Sequence, residues 1–218
     1  MPERDDRLVA GALSRPHDDG AVLGVIFAGG ASRRYGRDKA LARLDGIPLL
    51  QRVVDRFAPQ VSALVISGDP RPEISVPAIP DSLQGAGPLA ALYSVLRQAA
   101  QHDWPMVATV SCDTPFIPVD IVARLGAALK THDCAVASRG GVRHPTCTLW
   151  AMRACPGIEA TFEAGVRSLH GAVSRLDAVE VDFSAIDDGP GGDPFYNINS
   201  PEEMATAQAW AMERHWTG

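Results

Sequence analysis

Short apolar runs alternate with amphipathic stretches from Ala21 onward, in the order typical of a βαβ fold. The runs GVIFA (24–28) and MVATVS (106–111) are apolar at nearly every position. Strands of this kind are covered on both faces, so the pattern predicts a mainly parallel sheet flanked by helices. The predicted strands are 21–28, 62–68, 76–80, 105–111, 133–138, 144–150 and 178–183.

Four amphipathic stretches predict helices, at 48–57, 88–101, 118–130 and 200–215. In the second stretch, apolar side chains recur at i, i+3, i+4 and i+7 from Leu89 to Leu96 and form one face for a sheet. The last helix has a clear start, because Ser200 to Glu203 form a capping box with proline at the first helical position.

The predicted strands 133–138 and 144–150 are joined by the short linker RGGVR, which indicates an antiparallel pair within the sheet. We therefore predict a three-layer α/β/α Rossmann-like fold with a mostly parallel, partly mixed central sheet. Folds of this kind bind ligands at the carboxyl ends of their strands.

Length and composition narrow the class of protein. The 218 residues suit one full-sized domain or two small ones. With 20 Lys and Arg against 26 Asp and Glu, the net charge of −6 argues against a surface built to bind nucleic acid or anionic lipid. The four cysteines form no C-x-x-C pair, which indicates reduced thiols rather than disulfides or structural zinc.

Residues 1–20 lack sustained periodicity and predict a flexible N-terminal extension, with a single domain over 21–218. No apolar run is long enough to span a membrane, and the first residues lack the apolar core of a signal peptide. The sequence therefore predicts a soluble, cytoplasmic protein that binds neither membrane nor nucleic acid.

The first strand runs into a glycine-rich, basic segment, FAGGASRRYGRDKA (27–40). Gly29, Gly30 and Gly36 allow a tight turn and a close approach of backbone to a ligand, and successive N–H groups in such a turn bind anions. With Arg33 and Lys39 nearby, a polyphosphate is the ligand that suits this segment best. The alternative is a glycine-rich connection with a solvated basic face.

Two common phosphate motifs do not fit this segment. A Walker A loop requires G-x-x-x-x-G-K-[ST], but Gly30 and Gly36 are one residue too far apart and Arg37 follows. The dinucleotide fingerprint G-x-G-x-x-G is also absent, which makes a dinucleotide-dependent oxidoreductase a poor interpretation.

The strand predicted at 105–111 ends in SCDTPFIP (111–118) and places Asp113 at a strand terminus. A carboxylate opposite a phosphate-binding loop is a natural ligand for Mg²⁺, which is commonly held by one or two carboxylates together with substrate phosphates. The alternative is that Asp113 caps the helix that follows.

The strings AGGASRRYGRDKAL (28–41), LDGIPLLQRV (44–53) and CDTP (112–115) resemble the signature of the nucleotidyltransferases related to molybdenum cofactor guanylyltransferase. The resemblance covers about residues 22–210. It implies a nucleotidyltransferase fold, a loop that wraps the triphosphate, and Asp113 as ligand of Mg²⁺. It implies catalytic roles for Lys39, Arg33 and Asp113. The nucleotide-binding residues that it implies are Ala28, Gly29, Gly30, Ala31, Ser32, Arg33, Gly36, Lys39, Asp81, Gly87 and Pro88.

Three later segments complete the resemblance: DSLQGAGPLAAL (81–92), RHPT (143–146) and FYNINSPEEM (195–204). From the residues alone, Asp81 suits a turn or contact with a base edge. Asn197 and Asn199 share one side of an extended chain, although both also suit a turn before a helix. The resemblance implies that these asparagines line the active site near the metal or the pterin. It also implies that His144 lines the active site or the acceptor, while a single histidine at a strand start is more often structural.

The activity implied by the resemblance is transfer of GMP from GTP to molybdopterin, its molybdenum-bearing form included, with release of pyrophosphate. Molybdenum-cofactor delivery proteins are the expected protein partners. Two alternatives stay open: a relative that uses CTP or another phosphorylated acceptor, and a nucleotide-binding regulatory module without catalysis.

Overall fold

The computed structural model describes residues 11, 13, 14, 18, 20–29, 38–80 and 87–216. Within these ranges, seven strands form one sheet in the order β5-β4-β1-β6-β8-β7-β9, and a two-stranded hairpin, β2-β3, lies apart. The strands are β1 (Val22–Phe27), β2 (Arg43–Leu44), β3 (Ile47–Pro48), β4 (Ala63–Ser67), β5 (Ala78–Ile79), β6 (Met106–Ser111), β7 (Cys134–Arg139), β8 (Val142–Ala151) and β9 (Ala178–Asp182).

The sheet is mixed in the way the sequence predicts. β1 runs parallel to β4 and β6, and β7 runs parallel to β9. β8 is antiparallel to both β6 and β7. The β7–β8 connection turns at Gly140 and Gly141, which both have positive φ and so favour glycine. The predicted mostly parallel, partly mixed α/β sheet is confirmed.

Helices cover both faces of the sheet. They span Leu49–Phe57, Pro88–Gln101, Ile121–Leu129, Cys155–Glu163, Leu169–Val173 and Pro201–Glu213. The first, second, third and last match the predicted helices to within a few residues, and the capping box of Ser200 and Glu203 is formed. The sequence analysis did not predict the fourth and fifth. The fourth has Pro156 and Gly157 in its first turn, and the fifth has only five residues.

Two apolar layers pack against opposite faces of the sheet. In β1, Val22 and Ile26 face the layer under helices Leu49–Phe57 and Ile121–Leu129. Leu23 and Val25 face the layer under helix Pro88–Gln101. Because alternate residues of a strand point to opposite faces, this division produces the three-layer arrangement.

Leu13 lies within the predicted N-terminal extension, whose flexibility stays a prediction. Its side chain is buried in the layer under helix Pro88–Gln101, and Trp104 Nε1 donates a hydrogen bond to its carbonyl oxygen at 3.2 Å. The apolar side chain of Leu13 thus packs on the domain. Across the described ranges, the helices are too short or too polar to cross a membrane.

Candidate active site

The candidate site lies at the carboxyl ends of β1 and β6, two neighbouring parallel strands at the middle of the sheet. Phe27, the last residue of β1, pairs in register with Ser111, the last residue of β6. The amide of Cys112 donates to the carbonyl oxygen of Phe27 at 3.0 Å. The start of the glycine-rich segment and the loop that carries Asp113 therefore leave the sheet side by side.

Gly68, at the end of β4, brings a third strand against the start of this segment. Its φ is +133°, and a Cβ atom on it would lie 2.9 Å from the amide nitrogen of Gly29 and 3.2 Å from the carbonyl oxygen of Ala28. A side chain at this position would push against the backbone at Gly29. Ala28 is buried here and Gly29 is exposed, at the predicted start of the phosphate loop.

Lys39 begins a short 3-10 turn, Lys39–Leu41, which follows the glycines along the chain. Asp38 caps the turn by accepting a hydrogen bond from the amide of Ala40, and the buried side chain of Ala40 anchors it in the core. Lys39 Nζ donates to Asp113 Oδ2 at 2.7 Å and to Asn199 Oδ1 at 2.5 Å. One ammonium group therefore joins three distant segments of the chain.

Asp113 is fixed by contacts on both sides of its carboxylate. Ser111 Oγ donates to Asp113 Oδ1 at 2.6 Å, while Lys39 occupies Oδ2. The carbonyl oxygen of Asp113 accepts a hydrogen bond from the amide of Ile198 at 2.9 Å. Because the Lys39 and Asp113 side chains are only 13% and 15% exposed, water screens their ion pair less than it screens a surface pair.

The segment 197–199 runs alongside this loop in the predicted manner. Ile198 is fully buried, and its neighbours Asn197 and Asn199 are both exposed on the opposite side. Only Asn199 of the two has a hydrogen bond to Lys39 among the described residues. The carboxylate of Glu203, in the following helix, accepts from the Asn199 amide at 2.5 Å and so helps to fix its backbone.

Gly87 and Pro88 begin helix Pro88–Gln101, as predicted. Gly87 has φ +84°, and a Cβ atom on it would lie 2.8 Å from the carbonyl oxygen of Arg167, which accepts from the Leu89 amide. Close packing against Arg167 thus accounts for the glycine. The nucleotide-binding role assigned to Gly87 and Pro88 stays a prediction.

His144 lies beside the 195–199 segment, where its ring stacks on Phe195 with centroids 4.3 Å apart. Burial lowers the pKa of His144, and the positive charge of Arg139 acts in the same direction, against the opposite effect of Asp193. Its ring is therefore neutral at pH 7. No hydrogen bond links it to Lys39 or Asp113 within the described ranges, and a role toward the acceptor stays a prediction.

Cys112 lies next to Asp113, but it is poorly suited to act as a nucleophile. Burial and the charge of Asp113 raise the pKa of its thiol to about 12. The thiol therefore stays protonated near neutral pH, and the thiolate is the reactive form of cysteine.

Six predicted nucleotide-binding residues lie outside the described residues: Gly30, Ala31, Ser32, Arg33, Gly36 and Asp81. Two other residues at the site were missed by the sequence analysis. Ser111, which orients Asp113, is an ordinary strand-terminal serine without a distinguishing signal. Arg71 donates to both Ala28 and Asp38, and its position between two prolines in DPRPE (69–73) was the available signal.

The donor set at Asp113 suits a small, hard cation. Asp113 Oδ2 and Asn199 Oδ1 already bind one positive charge, the ammonium group of Lys39. Oxygen atoms of these types are also ligands of Mg²⁺. The described residues contain no group of three or more His, Cys, Asp or Glu side chains placed to hold a metal. A single carboxylate fits Mg²⁺ that is held largely by substrate phosphates and water.

Comparison with known proteins identifies the family to which the chain is similar. The model of the MobA-like NTP transferase domain matches residues 24–179. Among curated relatives, the molybdenum cofactor guanylyltransferase of Rhodobacter capsulatus is 41% identical over 194 residues, which cover 86% of this chain and 95% of that protein. The protein of the same name from Rhizobium leguminosarum bv. trifolii (strain WSM2304) is 39% identical, covering 87% and 92% of the two chains.

Solved structures show the same fold. Molybdopterin-guanine dinucleotide biosynthesis protein A from Archaeoglobus fulgidus superposes with a TM-score of 0.70 at 20% identity, covering 88% of this chain and 99% of that one. A 4-diphosphocytidyl-2C-methyl-D-erythritol synthase from Anaerococcus prevotii DSM 20548 has a TM-score of 0.67 at 11% identity, covering 89% and 100%.

Proposed function

The chain belongs to the family of MobA-like NTP transferases, and we propose that it transfers GMP from GTP to molybdopterin, the molybdenum-bearing form included. The terminal phosphate of the acceptor attacks the α-phosphorus of GTP in line. A new P–O bond forms, the bond between the α-phosphorus and the bridging oxygen breaks, and pyrophosphate leaves with the electron pair. The product is the guanine dinucleotide form of the cofactor.

The observation that carries this proposal is the junction of Lys39, Asp113 and Asn199 at the carboxyl ends of β1 and β6. In it a lysine ammonium group, a carboxylate and an amide oxygen lie in contact, beside the strand end where the glycine-rich loop begins. The full-length similarity to relatives named molybdenum cofactor guanylyltransferase supports the choice of donor and acceptor.

In this proposal the chain acts by binding and by placing charge. The glycine-rich loop, with Arg33, holds the β- and γ-phosphates, and Lys39 leaves Asp113 to neutralise charge on the triphosphate. Asp113 and Asn199 are the residues whose side-chain oxygen atoms would hold Mg²⁺. Bound Mg²⁺ would neutralise charge developing on the phosphate oxygens. Fixed positive groups of this kind lower the barrier because they need little reorganisation during the reaction.

The proposed reaction requires no general base from the protein. The acceptor is a phosphate monoester whose second pKa is about 6, so it is largely a dianion at neutral pH. The protonated thiol of Cys112 is consistent with a site that uses no cysteine nucleophile.

The decisive experiment incubates purified protein with molybdopterin, Mg²⁺ and each of the four nucleoside triphosphates, and measures pyrophosphate and dinucleotide. We expect both products with GTP, and loss of both in Asp113→Asn. Asp120→Asn, which removes an exposed carboxylate paired with Arg124, is the matched control and should retain activity. Formation of pyrophosphate with every nucleotide but no dinucleotide would contradict the proposal.

The same experiment separates the alternatives. Preference for CTP would identify a cytidylyl-transferring relative, and tight GTP binding without product would identify a regulatory module. A cytoplasmic location and contact with molybdenum-cofactor delivery proteins stay predictions.

A further inference from the structure

We infer that Arg71 is a positioning residue, which holds the two ends of the phosphate-binding segment together and thereby places Lys39. The inference rests on the proposed function, since it assigns Arg71 a role in the same reaction. Its evidence is a set of hydrogen bonds that do not involve substrate.

The guanidinium group of Arg71 contacts the backbone before the glycine-rich segment and the side chain after it. Arg71 Nη2 donates to the carbonyl oxygen of Ala28 at 2.8 Å. Arg71 Nε and Nη2 donate to the two carboxylate oxygens of Asp38, at 2.7 and 3.3 Å. Segment 29–37 therefore begins and ends at two points that one side chain ties together.

Arg71, Ala28 and Asp38 form what we call the clasp, and the Asp38 carboxylate also links the clasp to Lys39. Its Oδ1 also accepts the hydrogen bond from the Ala40 amide that caps the Lys39–Leu41 turn. The direction of this turn decides where Lys39 Nζ lies relative to Asp113 and Asn199. Movement of Asp38 is thus expected to move the lysine.

Arg71 is itself held firmly. Its side chain is 9% exposed, and its Nη1 donates to the carbonyl oxygen of Asp69 at 2.9 Å. Pro72 restricts the backbone of Arg71 to extended conformations, and Pro70 restricts the residue before it. Ile74, after the turn, is buried in the same apolar layer as Ala40. The backbone of this segment therefore loses less conformational entropy when the hydrogen bonds of Arg71 form.

The forked shape of the guanidinium group is essential to this role, because a lysine supplies the charge without the planar pair of donors. The test therefore uses Arg71→Met and Arg71→Lys, with Arg124→Met as the control. Arg124 pairs with Asp120 near the protein surface and lies over the Phe183 ring, with no contact to Lys39 or Asp113 among the described residues, so its loss removes the same charge away from the site.

The first measurement is hydrogen exchange in the protein without ligand. Both Arg71 variants should exchange the amides of residues 38–42 at least about tenfold faster than wild type, and Arg124→Met should not. This measurement does not depend on activity. It therefore tests whether Arg71 orders residues 38–42 even if the wild-type protein forms no dinucleotide. Unchanged exchange in Arg71→Lys and Arg71→Met would overturn the inference.

The second measurement is kcat/KM for GTP in two backgrounds. In the wild-type background, either Arg71 variant should lower it by at least about tenfold. In a Lys39→Met background, the same substitutions should lower it by less than about twofold, because groups that act as one unit are not additive. Equal fold losses in both backgrounds would show that Arg71 does not act through Lys39. Absence of activity in the wild-type protein would instead count against the proposed function.

Discussion

Replacing Lys39 by methionine should strengthen divalent metal binding to the protein without nucleotide, although it should strongly lower turnover and leave only a measurable residual rate. Lys39 Nζ lies against Asp113 Oδ2 and Asn199 Oδ1, the oxygen atoms proposed as metal ligands. A metal that enters in the absence of nucleotide must displace the ammonium group. In the proposed mechanism, bound nucleotide draws Lys39 away and releases the carboxylate.

The size of the effect follows from this contact. A hydrogen bond to a charged group contributes about 1.5–3 kcal/mol, which corresponds to a change of about 10- to 150-fold in a dissociation constant. The low exposure of both side chains, 13% and 15%, limits the loss of this energy to solvent screening. We therefore expect Mn²⁺ to bind Lys39→Met about 10- to 150-fold more tightly than wild type.

The assay is a titration with Mn²⁺ followed by electron paramagnetic resonance, with no nucleotide present. Arg124→Met removes one positive charge away from the site and should change the affinity by less than about twofold. Lys39→Met with Asp113→Asn should lose the gain, since the carboxylate is then absent. Equal or weaker Mn²⁺ binding in Lys39→Met would refute the idea that the lysine and the metal compete for Asp113.

Three further predictions test other parts of the site. Asn199→Ala should lower turnover about 10- to 100-fold while Asn197→Ala changes it little; similar steady-state losses in both would remove the distinction between them. Gly68→Ala should lower the free energy of unfolding by about 1–3 kcal/mol because its Cβ would press on Gly29, and an unchanged thermal midpoint would contradict this. Burial lowers the pKa of His144, so the unfolded state binds a proton more readily as pH falls below about 6.5. Between about pH 7.5 and 5.5, urea titrations should show a smaller loss of stability in His144→Gln than in wild type, and equal losses would rule out this effect.

The fold was largely predictable because burial imposes local patterns. The apolar runs of β1 and β6 are covered on both faces, and the stripe from Leu89 to Leu96 lies on the sheet as expected. Helix Cys155–Glu163 escaped prediction because Pro156 and Gly157 in its first turn weaken the helical pattern, and helix Leu169–Val173 because five residues carry little periodicity. Their formation depends on the surrounding tertiary packing rather than on local propensity.

The site was predictable only in its parts. Asp113 at a strand end and Lys39 after a glycine-rich loop both follow from local sequence, but the contact that joins Lys39 to Asn199 spans 160 positions. Residues this far apart in sequence come together only in the folded chain, where β1 and β6 lie side by side and the amide of Ile198 donates to the carbonyl oxygen of Asp113.

Arg71 illustrates why single-sequence reasoning misses residues that act through others. A motif is recognised by groups that suit the ligand, whereas Arg71 suits Asp38 and the backbone of Ala28. The guanidinium group of Arg71 pairs with groups of the protein itself, so a search for ligand-binding residues does not find it. The clasp would nevertheless set the position of Lys39. Neutralisation of a triphosphate at the site would then depend on Arg71, which lies between two prolines in the loop after β4.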